Sequence, residues 1–144
     1  TAPVYGLGHS EEVIGRALAG YRGQVFLATK CCRHVDPAAQ RLYNDFTPQG
    51  VRADCEASLR RLGVEALDLY QIHWAQEGSE EAWAVMPDLI RAGKIRYAGV
   101  SNCSVAQMRK LQAIHPIMRQ RWQSIPSHIT SRTKPPICRK HSVR

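Results

Sequence analysis

The stretch Leu67-Asp68-Leu69-Tyr70-Gln71-Ile72-His73-Trp74 decides the fold class. Its first six residues are mostly apolar, and helical patterns flank them on both sides. A short apolar run of this kind reads as a buried strand of a parallel sheet, where helices cover both faces. The strand delivers a histidine and a tryptophan where it runs out. In an α/β protein, a polar side chain at the C-terminal end of such a strand stands where chemistry is done.

Working outward, two further strands follow the same plan. Val25 to Thr29 places Lys30 at its C-terminal end, and Ile95 to Val100 ends in Ser101-Asn102. Ser10 reads as the N-cap of a helix over 11–19, with Glu11 and Glu12 at the positive end of its dipole. Val13, Ile14, Ala17 and Leu18 recur there at helical spacing. The residues after Lys30 read as a loop containing Pro37 and Asn44. Thr47 then caps a helix with Pro48 in its first turn, an inner face of Val51, Cys55, Ser58, Leu59 and Leu62, and a stop at Gly63. Trp83, Met86, Leu89 and Ile90 line one more helix that Gly93 closes. Ser104 and Gln107 match a capping box for the next. The order is βαβαβα, an α/β class with parallel strands and outer helices. Such strand ends converge on one face in a (β/α)8 barrel and line a crevice in an open doubly wound sheet. Periodicity leaves both open.

Composition narrows the classes of function. The chain has 144 residues, enough for one domain with a core. No apolar run approaches the ~20 residues that a membrane span needs, and no signal-peptide pattern opens the chain. Cysteines 31, 32, 55, 103 and 138 form no CxxC pair, and their odd number fits no disulfide framework. Reduced thiols and a cytoplasmic location are the expectation. Met118 to Arg144 contains seven Lys or Arg and no Asp or Glu, which accounts for all but one unit of the formal net charge of +8. That tail has one Trp as its only aromatic and no nucleic-acid motif. Neither a nucleic-acid nor a membrane partner is therefore expected, and no oligomeric state is legible.

Tyr5, Lys30 and His73 are three titratable groups of complementary character. An ammonium near a phenol favours the phenolate, so the phenol parts more readily with its proton. A tyrosine placed this way can give that proton to a carbonyl oxygen as hydride arrives at the carbon. A neutral histidine can donate a hydrogen bond to the same oxygen. Ser101 and Asn102 offer a hydroxyl and an amide, which suits a flat carboxamide such as that of nicotinamide. Each also has a plain structural reading: a solvated lysine, a satisfied histidine, a packing tyrosine, a turn. Gly6-x-Gly8 is no dinucleotide fingerprint, because it does not sit between a strand and a helix.

Four segments add a specific resemblance: TAPVYGLGHSEEVIGRAL at 1–18, VFLATK at 25–30, SLRRLGVEALDLYQIHW at 58–74 and GKIRYAGVSN at 93–102. In order and spacing they resemble the aldo-keto reductase superfamily, most closely its bacterial branch related to potassium-channel β subunits. The resemblance implies a (β/α)8 TIM barrel that uses NADPH/NADP+ to reduce a small carbonyl substrate, aldehyde or ketone. It implies Tyr5 as the acid, Lys30 and His73 as its catalytic partners, Ser101 and Asn102 as cofactor-binding residues, and Trp74 in the substrate pocket. A non-catalytic, cofactor-sensing or regulatory module on the same scaffold is the alternative. The chain has no initiator Met, and the family's catalytic aspartate would stand just before Thr1. The expectation is therefore a fragment, about strands two or three to five with six at the furthest, poorly active by itself. Residues 1–117 form the partial barrel and 118–144 a poorly matching tail. Within that tail Gln123 takes the place of a glutamine near the nicotinamide, and ICRKHSV at 137–143 again looks like the family. Matching segments around a mismatched one imply a shifted reading frame.

Overall fold

The computed structural model describes residues 1–36 and 38–118. Three strands form a parallel sheet in the order β1-β4-β5: β1 (Ala28–Cys31), β4 (Leu67–Ile72) and β5 (Ile95–Val100). Between β1 and β4 lie an antiparallel hairpin, β2 (Arg33–Asp36) and β3 (Arg41–Asn44), and the helix α2 (Pro48–Leu62). Helices α3 (Ser79–Ala84) and α4 (Met86–Arg91) connect β4 to β5. The helix α1 (His9–Ala17) precedes β1, and α5 (Val105–Ile114) follows β5.

The middle strand matches its expected bounds residue for residue, and four of its six side chains fall inside the core. Leu67, Tyr70 and Ile72 pack with Val51, Cys55, Leu59 and Leu62 of α2, Trp83 of α3, Met86 and Leu89 of α4, and Leu111 of α5. Thr47 caps α2 by accepting from the Gly50 amide at 3.1 Å, and Gly63 ends it in the left-handed region at φ 64°. The Ser104–Gln107 capping box is present on α5. Strand register places Thr29, Tyr70 and Ala98 on the helix-covered face, and Lys30, Gln71 and Gly99 on the other.

Four expectations need correction. The strand expected at Val25 to Thr29 is Ala28–Cys31, so Lys30 lies inside its C-terminal end. Leu27 is outside the strand ladder because its amide donates to the Asp68 carboxylate at 2.7 Å. The expected loop after Lys30 is a hairpin, in which β-branched and aromatic residues are too few to announce strands. Ser10 does not cap α1; Gly8 stands at that position with φ 95°, and the Ser10 hydroxyl instead meets that of Thr1 at 2.8 Å. The single helix expected around Trp83 and Leu89 is two, because Pro87 has no amide to continue the first.

A buried ion pair ties α1 to this sheet. Glu11 is fully buried; it accepts from the Thr29 hydroxyl at 2.5 Å and from Arg61 Nε at 2.6 Å. The two helices can approach because Gly15 faces the backbone of the last turn of α2, where a Cβ would come within 2.8 Å of two carbonyl oxygens. At the opposite end of the sheet, the Asp68 carboxylate is 2.8 Å from Arg22 and 2.6 Å from Arg96. Both edges of the sheet receive one further main-chain bond, from the Thr1 amino group to Ala28 O and from the Met118 amide to Ala98 O.

Removing Glu11 leaves the partly buried Arg61 guanidinium without its carboxylate and the buried Thr29 hydroxyl without its acceptor. Glu11→Ala is therefore expected to lower stability by roughly 3 kcal/mol. Urea unfolding followed by far-UV circular dichroism measures it, and an unchanged midpoint contradicts the structural role.

Candidate active site

Because the three strands run parallel, their C-terminal ends lie together, and the main chain beyond them is locked in step. The His73 amide donates to Cys31 O at 3.1 Å, and the Ser101 amide to Ile72 O at 2.9 Å. Lys30, His73 and Ser101-Asn102 therefore share one rim. Tyr5 reaches the same rim from the opening segment. Gly6, Leu7 and Gly8 all have positive φ, 62°, 54° and 95°, which bends the chain sharply from Tyr5 into α1. A side chain at Gly8 would collide with that of Arg61 at 2.7 Å, so the bend is packed as well as turned.

The Tyr5 and His73 rings meet edge to face, with centroids 5.7 Å apart. Lys30 Nζ lies 5.3 Å from the Tyr5 ring centroid and donates to Thr1 O at 2.9 Å. Tyr5, 44% exposed, remains open to a ligand, whereas His73 is only 8% exposed. Burial, then the positive charges of Lys30, Arg33 and the amino terminus, press the His73 pKa down to about 4. The imidazole is thus neutral at pH 7. Its buried Nδ1 has no hydrogen-bond partner among the described residues. An unmade bond of this kind costs about 1–3 kcal/mol unless a ligand or water completes it.

Asn102 acts on the histidine from behind. It adopts φ 49°, and its Nδ2 donates to His73 O at 2.9 Å and to Ser101 Oγ at 3.1 Å. This amide holds the ends of β4 and β5 together. Asn102 Oδ1 and the Ser101 hydroxyl remain as acceptor and donor. Trp74 is 47% exposed, with the Arg33 guanidinium carbon 5.1 Å from its ring. Sequence reasoning passed over Arg33, and its only signal was a position three residues beyond Lys30. It also passed over Asp54, whose Oδ2 accepts from the Cys32 amide at 2.9 Å and lies 3.3 Å from His34 Nε2. The interaction with Asp54 raises the His34 pKa and fixes the base of the hairpin beside the rim. Gln123 and residues 119–144 lie outside the described residues. A groove of about 640 Å³ between α1 and α2 contains none of these groups. No helix among the described residues is long and apolar enough to cross a membrane.

The model of the Aldo/keto reductase family matches residues 1–144. The chain belongs to that family. It is 42% identical over 121 residues to aldo-keto reductase YhdN of Bacillus subtilis, covering 81% of this chain and 36% of that protein. Glycerol dehydrogenase AKR11B4 from Gluconobacter oxydans has a structure that matches with a TM-score of 0.74 at 43% identity, covering 81% of this chain and 37% of that one. An aldo/keto reductase from Klebsiella pneumoniae, solved in complex with NADP and acetate, matches with a TM-score of 0.63 at 35% identity over 76% of this chain and 35% of its own. The chain thus spans a little over a third of the length of such relatives. Its parallel strands and outer helices are a part of their (β/α)8 barrel, which decides between the two architectures left open by periodicity.

A depressed histidine pKa carries a pH signature. Between about 6.5 and 4 the unfolded chain binds a proton that the folded chain refuses, so stability falls as pH falls through that window. The His73 ring is expected to titrate near 4 in a carbon–proton NMR series, and His73→Gln should flatten the acid loss of stability. A midpoint near 6.5 contradicts this picture.

Proposed function

We propose that the protein containing this chain reduces small aldehydes and ketones to alcohols with NADPH, and that Tyr5, Lys30 and His73 are its catalytic residues. The observation that carries this reading is the contact of Tyr5 with both Lys30 and His73 on one rim, at 5.3 and 5.7 Å, beside a buried imidazole nitrogen that has no partner among the described residues. Membership of the family and the NADP-bound relative support the choice of cofactor.

The residues present fit a nicotinamide. Asn102 Oδ1 can accept from its carboxamide and the Ser101 hydroxyl can donate to it. Asn102 spends its Nδ2 on His73 O and Ser101 Oγ, which leaves its Oδ1 without a partner among the described residues, and the Ser101 hydroxyl, an acceptor in that bond, keeps its proton to donate. When bound, NADPH supplies the hydride. The chain's own residues manage the proton and the oxygen. A carbonyl oxygen placed between Tyr5 and His73 meets the phenol as a general acid, and the phenol proton moves to that oxygen as negative charge develops. The Lys30 ammonium stabilises the charge left on the phenolate. Neutral His73 donates a hydrogen bond to the same oxygen and loses no proton of its own, consistent with its low pKa. Trp74 offers an apolar wall next to the reacting carbon.

In the intact protein, Tyr5→Phe should lower kcat about 10²- to 10⁴-fold, the usual worth of a positioned general acid, while NADPH affinity changes little. Stopped-flow absorbance at the NADPH band with 4-nitrobenzaldehyde measures both. An undiminished kcat would remove Tyr5 from the mechanism. The 144-residue chain alone should bind NADPH weakly and turn over poorly; tight, saturable binding in a fluorescence titration, or turnover of 4-nitrobenzaldehyde, would overturn that part.

A further inference from the structure

We infer that Arg33 is a specificity residue of this rim and selects carbonyl substrates that carry a carboxylate a short distance from the reacting carbon. The inference rests on the reductase reading for which carbon reacts, and on the geometry of Arg33 for the rest. Cys32, at φ 69°, turns the chain off the end of β1, and the Asp45 amide donates to Cys32 O at 3.0 Å to close the hairpin base. Arg33 is the first residue of that hairpin, so its backbone is fixed at the rim rather than on a free loop.

Its guanidinium lies over Trp74, the residue after His73, at 5.1 Å. The contact orients the fork without neutralising it, since an aromatic face leaves the in-plane N–H groups available. One of those groups reaches Asn44 Oδ1 only at 3.4 Å, a long and weak contact. Among the described residues no carboxylate lies within ion-pair range of Arg33, whereas Arg22, Arg52, Arg61, Arg91 and Arg96 each have one, and Arg16, Arg41, Arg60 and Arg109, which also have none, are exposed to solvent. Arg33 is partly buried, and a ligand anion would give its guanidinium the countercharge that the described residues do not. Its field also reaches the histidine, where it is one of the charges that oppose protonation. Carboxylate is the natural complement, because the planar fork binds it with two parallel hydrogen bonds.

Two probes separate this from a purely structural shelf for Trp74: 4-formylbenzoate and its neutral methyl ester, which share ring and aldehyde. In ligand-observed NMR titrations of the chain, the acid is expected to bind about tenfold tighter than the ester, the effect of one charge-assisted pair. Arg33→Met should bring the acid to near parity and leave the ester unchanged. Arg33→Lys, which keeps the charge, should retain part of the preference. Equal binding of the two probes by the unaltered chain overturns the inference. So does a preference that survives Arg33→Met, or a parallel loss of both probes in that variant. NADPH-linked turnover of the ester by the intact protein reports separately on the reaction. Its absence alongside a retained preference for the acid removes the reductase reading and leaves the anion site standing.

Discussion

The constraint on which the rest depends is the Glu11 carboxylate, held entirely out of water. A buried charge must be met, and here a hydroxyl from β1 and a guanidinium from α2 meet it. Those two bonds leave α1 only one seat, in the angle between sheet and helix. Gly15 lets it settle there against the backbone of α2. Once α1 is seated, the bend at Gly6 to Gly8 has a fixed exit, and Tyr5 at its start is carried to the rim. The electrostatics of one side chain thus place a residue six positions earlier, on the far side of a turn. The Thr1 carbonyl, bonded by Lys30, fixes the same segment from its other end.

The rim shows how backbone and side chain divide the work. Parallel pairing sets the heights at which Lys30, His73 and Ser101 emerge, through bonds that no side chain influences. Side chains then set character. Burial and the surrounding cations keep His73 neutral, the lysine lies against the phenol, and the Asn102 amide holds the histidine's own carbonyl. Positive φ at Cys32 and Asn102, both residues with side chains, marks the two points where the chain leaves a strand toward this rim. Strain of this kind clusters where a structure must aim a group.

Much of this was legible in the residues. The middle strand, α2 with its Thr47 cap and Gly63 stop, and the capping box of α5 follow from local rules, and the structure keeps their bounds. Lys30, His73 and Asn102 were legible as strand-end residues because period and polarity change together there. What escaped depends on partners far along the chain. Glu11 reads as an ordinary dipole-facing acid until Arg61, fifty positions away, turns it into a buried pair. Leu27 leaves its strand because Asp68 claims its amide. The hairpin forms from a polar segment whose pairing comes from the fixed base at Cys32 and Asp54, not from its own propensity. That Tyr5 meets His73 was supplied by the resemblance, since sequence spacing says nothing of a contact across 68 positions.

The bond from Asn102 to His73 has a consequence for the order of assembly on the ribosome. Tyr5, Lys30 and His73 have all been synthesised by the time Trp74 emerges, and β1, α2 and β4 can then close upon one another. The peptide carbonyl of His73 must wait for nearly thirty further residues before its amide partner exists. Synthesis runs from the N-terminus at about 5–20 residues per second. Tyr5, Lys30 and His73 are therefore available early, and the latch on the His73 carbonyl arrives with the strand that also brings Ser101. The His73 backbone gains its last bond only as Asn102 takes its place.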